Sequence, residues 1–548
     1  RISTVVDVTF GKTLTYAYDA NGNRVSLTEG ATTFGYAYDA MNRLKQADAF
    51  GGSIFFEYDA AGRRTSLLRP NGIRTTWAYD NGIQVASITH AKGDNVVLGF
   101  TYEYDFHGMR ASKTREDGTK EVYGYDAADR LVQVDYGSSR RVQYGIDPLG
   151  NRVLEDTTVP GQPLVRTIGT FNGFNQLMTT GGPGSTIPLT DFAYDLNGNL
   201  TSETRHPTGL PDEVTAYGWD RDNRLRSVSP PLGTPTTYRY DANGLRTERV
   251  DMTGTTRYLL DGPTVLEELD STNAASVRYF SNPQRIDEVL SYQRPGSVEY
   301  PLTDALGSIH VVSDDQGNIV HRYDFGVFGE RTDLGGSTAA IDAGYTGRWH
   351  DPNGLLEHRD RQRNPKLGGW LQPDRLNTAV EGAQAARTAA SLMPAEAWRF
   401  TADIVRDVSN VDTNLYAYAL NNPLYWMDPN GFAVYNYSSR TIWAKPEKED
   451  GNGDIPFPVL PHSKSLDEQD GIADPLYPGW VYKSIDWVDI IVYDSFGVAP
   501  WSLFPLWAGI PQFWGGGWKD EQWLQELHKK GDHGWDKLFE KSRSGPCR

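Results

Sequence analysis

An aromatic residue followed by aspartate recurs through the first half of the chain, at Tyr18-Asp19, Tyr38-Asp39, Tyr58-Asp59, Tyr79-Asp80, Tyr104-Asp105, Tyr125-Asp126, Tyr194-Asp195, Trp219-Asp220 and Tyr240-Asp241. One wider gap holds degenerate copies around Gly145-Ile146-Asp147 and between Phe171 and Leu177. Self-similarity at a period of about 20 to 25 residues is the signature of an array, in which each unit buries its face only by stacking on its neighbours. A β-propeller blade would need about twice this period.

Each copy reads as one β-hairpin. Tyr16 and Tyr18 stand two residues apart, as do Tyr36 and Tyr38, Tyr102 and Tyr104, Tyr123 and Tyr125, and Tyr238 and Tyr240; in a strand each pair faces one side of the sheet. A cluster such as "DANGNR" or "DAAGRR" follows, whose Gly, Asn and Asp tolerate the positive φ angles of a tight turn. A second alternating run such as "RVSLT" then completes the hairpin.

With 548 residues the chain exceeds what one hydrophobic core usually organises, so at least two units are expected. It opens at Arg1 inside the repeat pattern and reads as a piece of something longer, so an N-terminal signal for export cannot be judged from it. A formal charge of −18 argues against nucleic acid as the main partner of the repeats. Cys547 is the one cysteine, which excludes an internal disulfide framework. Nothing before Val488 reads as a membrane span.

Past Tyr279 the text changes to "YPLTDALGSIHVVSDDQGNIVHRYDFGVFGERTD", then "YTGRWHDPNGLLEHRDRQRNPKLGGWLQPDRL", and after an interruption "NLYAYALNNPLYWMDPNGF". With the aromatic-aspartate repeats before them, these motifs in this order resemble the C-terminal part of Rhs or YD-repeat toxin proteins, relatives of the C components of insecticidal toxin complexes. The resemblance covers residues 1 to about 432. It implies a mainly β fold: a spiralling shell of YD-repeat hairpins, a hollow cocoon, over 1–344; a self-cleaving aspartyl protease plug over 345–432; and a variable toxin, a small α+β domain, over 433–548. The family's essential arginine falls on Arg361, its two aspartates on Asp374 and Asp428, and the cut between Phe432 and Ala433. The chain departs from the family text in "HRDRQRNP", in Gly368-Gly369 before Trp370, and in an alanine-rich helical insertion over 378–408. The resemblance also implies secretion into target cells through a specialised system, a secretion-system component as partner, a cognate immunity protein, and the cleaved tail as the shell's own occupant. No cofactor is implied.

Two carboxylates held together share a proton, leaving one as general base for water and the other as general acid. Asp374 and Asp428 would divide these roles, in an order the sequence leaves open, while Arg361 orients a carboxylate or stabilises developing negative charge. Asp351, in an earlier "DPNG", and Asp360 are assigned to turns and surface pairing. His350 and His358 flank the block without a cysteine or a third clustered ligand, so no metal site is expected.

The tail carries 12 Lys or Arg against 17 Asp or Glu, a balance of −5 that does not indicate a basic nuclease. "VYKSIDWVDIIVYD" alternates as one central strand would. Residues 495–518 carry no charge; their length permits a membrane span, but three prolines and five glycines make a poor helix. Membrane action and packing inside the shell both suit the tryptophans there. Trp518 to Ser542 reads as helix, turn and helix, and within it His528, Asp532 and His533 form a weak candidate cluster, the two histidines an acid-base or metal pair that a solvated helix end explains as well. A different class of function also fits the repeats: an extracellular adhesion or carbohydrate-binding protein whose C-terminal motifs only plug the barrel and cut nothing.

Overall fold

The computed structural model describes residues 2–80, 84–373 and 414–427, with short strands between residues 435 and 492. The chain forms two compact units, Arg1–Ser438 and Ser439–Arg548.

In the first unit 31 strands, from Thr4–Asp7 to Arg331–Gly336, make a single antiparallel meander. Each strand pairs with its neighbours in sequence. The expected hairpin array is therefore present, and its repeat has a simple physical basis. In the turn after Tyr58, the Arg63 amide donates to Oδ1 of Asp59 at 2.9 Å and the Arg63 Nε to Oδ2 at 2.6 Å. The Gly62 amide donates to the Asp59 carbonyl at 3.0 Å, with Gly62 at φ 81°. Asn42, Asp129 and Asn223 take the same left-handed position in sister turns, as short polar side chains can.

The aromatic of each pair does something else. The Tyr38 hydroxyl donates to the Arg24 carbonyl, Tyr58 to Leu44, Tyr79 to Arg64, Tyr125 to Arg110, Tyr240 to Leu225, and the Trp219 indole to Leu200, all within 2.9 Å. Every acceptor begins the second strand of the preceding hairpin, so aspartate closes one hairpin and its aromatic neighbour fastens it to the one before. A register shift falls just before that aromatic, at Ala17/Tyr18, Ala37/Tyr38, Glu57/Tyr58, Gly124/Tyr125 and Gly218/Trp219. Bulges repeated at one end of successive hairpins bend the sheet in one direction.

The bend brings the sheet around upon itself. Lys12 donates to Glu267 at 2.5 Å, Arg24 pairs with Asp261, Asn71 donates to Ser313 at 3.0 Å, and Arg115 pairs with Asp324. Partners thus lie 209 to 255 residues apart along the chain. The early strands bury one face, in alternation, as in Ile73–Tyr79. Ile309–Ser313 is buried at every position and Val289–Arg294 at four in succession, because an outer layer covers one face and a plug the other.

One expectation, that for the second unit, needs correction; in the first unit the turn chemistry continues past Tyr279, where Asp304 and Asp314 cap their turns through the amides of Ser308 and Asn318, at 3.0 and 2.7 Å. What changes there is burial on both faces. In the second unit, five short strands form an antiparallel sheet ordered Phe457–Val459, Ile442–Lys445, Gly471–Ala473, Val481–Ser484, Ile490–Val492. The "VYKSIDWVDIIVYD" run is therefore two strands, folded back so that Ser484 faces Ile490; fourteen residues exceed the usual strand length, about 5–6. Two 3-10 turns, Tyr345–Gly347 and Ala419–Asn421, are the only helical elements among the described residues. No described helix is long and apolar enough to cross a membrane. The insertion 378–408, the uncharged run 495–518 and the pair of helices expected over 518–542 lie outside the described residues.

Replacing Tyr58 by Phe removes one hydroxyl and leaves the Leu44 carbonyl without it, an expected cost of about 1 kcal/mol. Asp59→Ala, which strips the turn of its amide acceptor and its Arg63 partner, is expected to cost more. Urea unfolding of the two variants beside the parent checks the order.

Candidate functional site

The plug begins where the meander ends. Trp349–His350, Leu356–His358, Arg361–Asn364 and Gly369–Trp370 form a four-stranded antiparallel sheet. Between its second and third strands lies a two-residue turn, closed by the pair His358 and Arg361. Arg359 there sits at φ 59°, a costly conformation for a long side chain. Its guanidinium is held by Asp287 at 2.5 Å and by the Pro263 carbonyl at 3.1 Å. Arg348 reaches the same Asp287 at 2.8 Å. Burial, then the charge of Arg359, pushes the Arg348 guanidinium below its usual range. Wall contacts thus fix the turn immediately before Arg361.

Arg361 is 4% exposed. Its guanidinium lies 4.0 Å from the centre of the Trp370 ring, and Nη1 donates to the Leu415 carbonyl at 3.4 Å. Trp370 in turn donates from its amide to the Tyr416 carbonyl at 3.0 Å and from its indole to the Ala417 carbonyl at 3.2 Å. Gln372 Oε1 accepts from the Gln362 amide at 3.1 Å. The strand that leads to Asp374 and the segment that leads to Asp428 are therefore both pinned beside Arg361. Asp374, Asp428, Phe432 and Ala433 themselves lie outside the described residues, as do His528, Asp532 and His533. Met427 and Tyr435, which bracket 428–434, are antiparallel partners, as are Trp426 and Asn436.

The segment 414–422 docks on the turns of successive hairpins. Asn422 donates to the Asp129 carbonyl at 2.7 Å, Asn421 to the Gly150 carbonyl at 2.8 Å, Asn414 to Asn151 Oδ1 at 2.8 Å, and the Tyr416 hydroxyl to the Gly198 carbonyl at 2.9 Å. Sequence reasoning passed over these residues. The available signal was three asparagines within nine residues, set among aromatic residues, too polar for a core and too apolar for solvent.

Asp351 is the other correction. It is not a surface group: its side chain is fully buried and accepts from Arg246 Nη1 at 2.7 Å and Arg249 Nη1 at 3.3 Å. Tyr238 donates to it at 2.9 Å. The turn is still a turn, with the Asp351 amide bonded to the Leu355 carbonyl at 2.8 Å. Here, however, Asn353 Oδ1 accepts the Leu355 amide, which frees the Asp351 carboxylate to lock the plug onto the wall. Asp360 does occupy a turn. His350 accepts from the Tyr345 amide at 3.1 Å, and burial, with Arg331 and Arg363 nearby, holds its pKa well below the imidazole range. His358 stacks edge-on against Trp370 and Tyr418. Both histidines are packing groups, and no group of three or more metal-ligating side chains occurs among the described residues. Across the same wall-plug seam, burial and then the charge of Asp342 raise the pKa of Glu268, which accepts from Tyr279 at 2.7 Å.

Asp351→Asn takes the counter-charge from buried Arg246, while Arg249 keeps Asp251 and Asp342, and is expected to cost about 3–5 kcal/mol. Limited proteolysis within 341–373, alongside a denaturation curve, reads out the loosened plug.

A family model described as Teneurin YD-shell matches residues 2–158 and 72–404. The tRNA3(Ser)-specific nuclease WapA of Bacillus spizizenii is 29% identical over 414 residues, 73% of this chain and 16% of that protein. The tRNA nuclease WapA of Bacillus subtilis strain 168 is 29% identical over 415 residues, again 73% and 16%. The chain therefore spans about a sixth of the length of these relatives. Among solved structures, the crystal structure of TcdB2-TccC3-Cdc42 superposes with a TM-score of 0.52 at 18% identity, over 77% of this chain and 22% of that one. That of TcdB2-TccC3 gives 0.51 at 18%, with the same coverage. At this identity the likeness is one of fold.

Proposed function

The chain belongs to the teneurin YD-shell family, and on that premise we propose that it is part of an Rhs-type toxin whose shell encloses a C-terminal effector and frees it by a single self-cleavage after Phe432. The placement of Arg361 carries the reading: a buried guanidinium, stacked and braced where the strand leading to Asp374 and the segment leading to Asp428 come together. In the proposed reaction one aspartate takes a proton from water as its oxygen attacks the Phe432 carbonyl carbon. The other gives a proton to the Ala433 nitrogen as the C–N bond breaks, leaving a carboxylate on Phe432 and an amine on Ala433. Arg361 stabilises the negative charge that builds on the carbonyl oxygen or holds a carboxylate in line. The scissile bond belongs to the same chain, so its effective concentration is high and turnover occurs once.

Residues 433–548 are the proposed cargo. The nuclease names of the two relatives support a toxic effector in general, but the acidic balance of this tail gives no support to a basic nuclease of its own. Enzymatic and membrane-permeabilising cargo both remain within the proposal, with His528, Asp532 and His533 as the enzymatic candidates. Secretion through a specialised system and neutralisation by a dedicated immunity protein complete it.

Intact-mass and N-terminal analysis of the purified protein should find two polypeptides held together, the smaller beginning at Ala433. Asp374→Asn and Asp428→Asn should each give a folded, uncut chain; cutting at the normal rate in either would remove the paired-aspartate mechanism.

Expressed alone in bacteria, residues 433–548 should arrest growth, whereas the uncut Asp374→Asn chain should not. Leakage of dye from liposomes, abolished by Trp507→Asp, would mark membrane action. Loss of toxicity in His528→Ala or His533→Ala with membranes intact would mark an enzyme. Normal growth with the free tail in cytoplasm and periplasm would favour the adhesion reading.

A further inference from the structure

We propose that Trp370 is a positioning residue for the self-cleavage: its indole holds the Arg361 guanidinium in place and ties together the two stretches of chain that lead to the aspartates. The inference rests on the aspartyl self-cleavage reading and deepens it. Trp370 is 5% exposed and makes three contacts of different kinds. Its ring face carries Arg361 at 4.0 Å. Its amide and indole N–H bond the carbonyls of Tyr416 and Ala417, at 3.0 and 3.2 Å. It also lies four residues before Asp374, on a strand paired with the one that bears Arg361.

A guanidinium is a flat ion on a long, mobile stem. Stacking on an indole restrains the plane of the ion from its face and leaves hydrogen bonding to its N–H edge. The neighbouring geometry repeats the device. Arg363, two residues on and fully buried, lies 3.8 Å from the centre of the Tyr418 ring, and Tyr418 meets Trp370 edge to face at 5.5 Å. The two arginines and two aromatic rings form one packed block. Arg363 donates from Nη1 to the Phe328 carbonyl at 2.5 Å, which anchors the block to the wall, and from Nε to His358 Nε2 at 3.3 Å. Arg361, at the other end, reaches the 414–422 segment through the Leu415 carbonyl.

The test follows cutting in the full chain made by cell-free synthesis, as the fraction intact against time over a range of pH. Trp370→Leu removes the stack and the indole donor, and is expected to slow cutting about 100-fold, the order that misplacement by about an ångström produces. It should also move the acid limb of the pH profile upward, because a guanidinium withdrawn from a carboxylate no longer favours its ionised form. A merely structural defect would lower the yield of cut chain without moving that limb. Trp370→Phe keeps a ring beneath the guanidinium and should cut within about tenfold of the parent, with the limb unmoved. This variant also decides the matter should the leucine chain fail to fold. Equal losses in the Phe and Leu variants, or parental rate and profile in the Leu variant, would overturn the role of Trp370. Asp374→Asn, run in parallel, separates the two levels: if it cuts normally the aspartyl reading itself has failed, and if it stays intact the Trp370 results bear on positioning alone.

Discussion

A carboxylate that closes its own turn is the interaction on which the fold depends. In each repeat one oxygen of the aspartate takes the amide four residues on, and where that residue is arginine the second oxygen takes its side chain, as at Asp39 with Arg43 and Asp126 with Arg130. The turn then fixes hairpin register, register fixes the bulge before the aromatic, and the bulge aims that aromatic at the preceding hairpin. Burial works against ionisation at Asp39, Asp126 and Asp220, yet hydrogen bonds to amides and to arginine outweigh it and hold all three below the usual carboxylate range. Such a depressed group stabilises the fold above its unfolded pKa, about 3.9, and that contribution fades as pH falls through the folded value. The wall is in this sense built on ionised turns.

The plug uses the same turn for a different end. In "DPNG" at 351–354 an asparagine side chain assumes the amide-capping duty, and the released aspartate becomes the counter-ion for Arg246 and Arg249 on the wall. With Asp287 serving Arg348 and Arg359 in the opposite sense, charge crosses the seam in both directions. The aromatic block around Trp370 lies between these ionic contacts and the asparagines that grip the hairpin turns. An arginine placed there inherits its position from the wall as much as from its own strand.

What the sequence disclosed divides along the range of the interactions. The aromatic-aspartate hairpins were legible because capping residue, left-handed residue and alternating strand all fall within ten positions of one another. Double burial of Ile309–Ser313 was not, since the surface that covers it, around Ile73 and Phe100, lies more than two hundred residues earlier. Asp351 was misjudged for a related reason: local pattern identifies a turn but not which side chain within it does the capping. Arg361 was singled out through the order of its motifs, and the structure adds what motif order cannot carry, namely Trp370 beneath it and Leu415 at its edge. Asn421 and Asn422 recognise backbone carbonyls, a target that leaves no complementary side chain to read.

Because every strand of the meander pairs only with strands adjacent in sequence, the ladder can be laid down in the order in which a ribosome delivers it. No strand needs to wait for a distant one to complete its hydrogen bonds. The contacts that do span the chain are mostly side-chain contacts between layers, and they join later elements to earlier ones: 261–325 to 12–115, then 345–373 and 414–422 to the hairpins between 109 and 328. Loop-closure entropy is thus met by a surface already assembled rather than by a free coil. Synthesis supplies the wall first, its inner layer second and the plug third, so that whatever follows Ser438 emerges when the strands before it have already had time to pair.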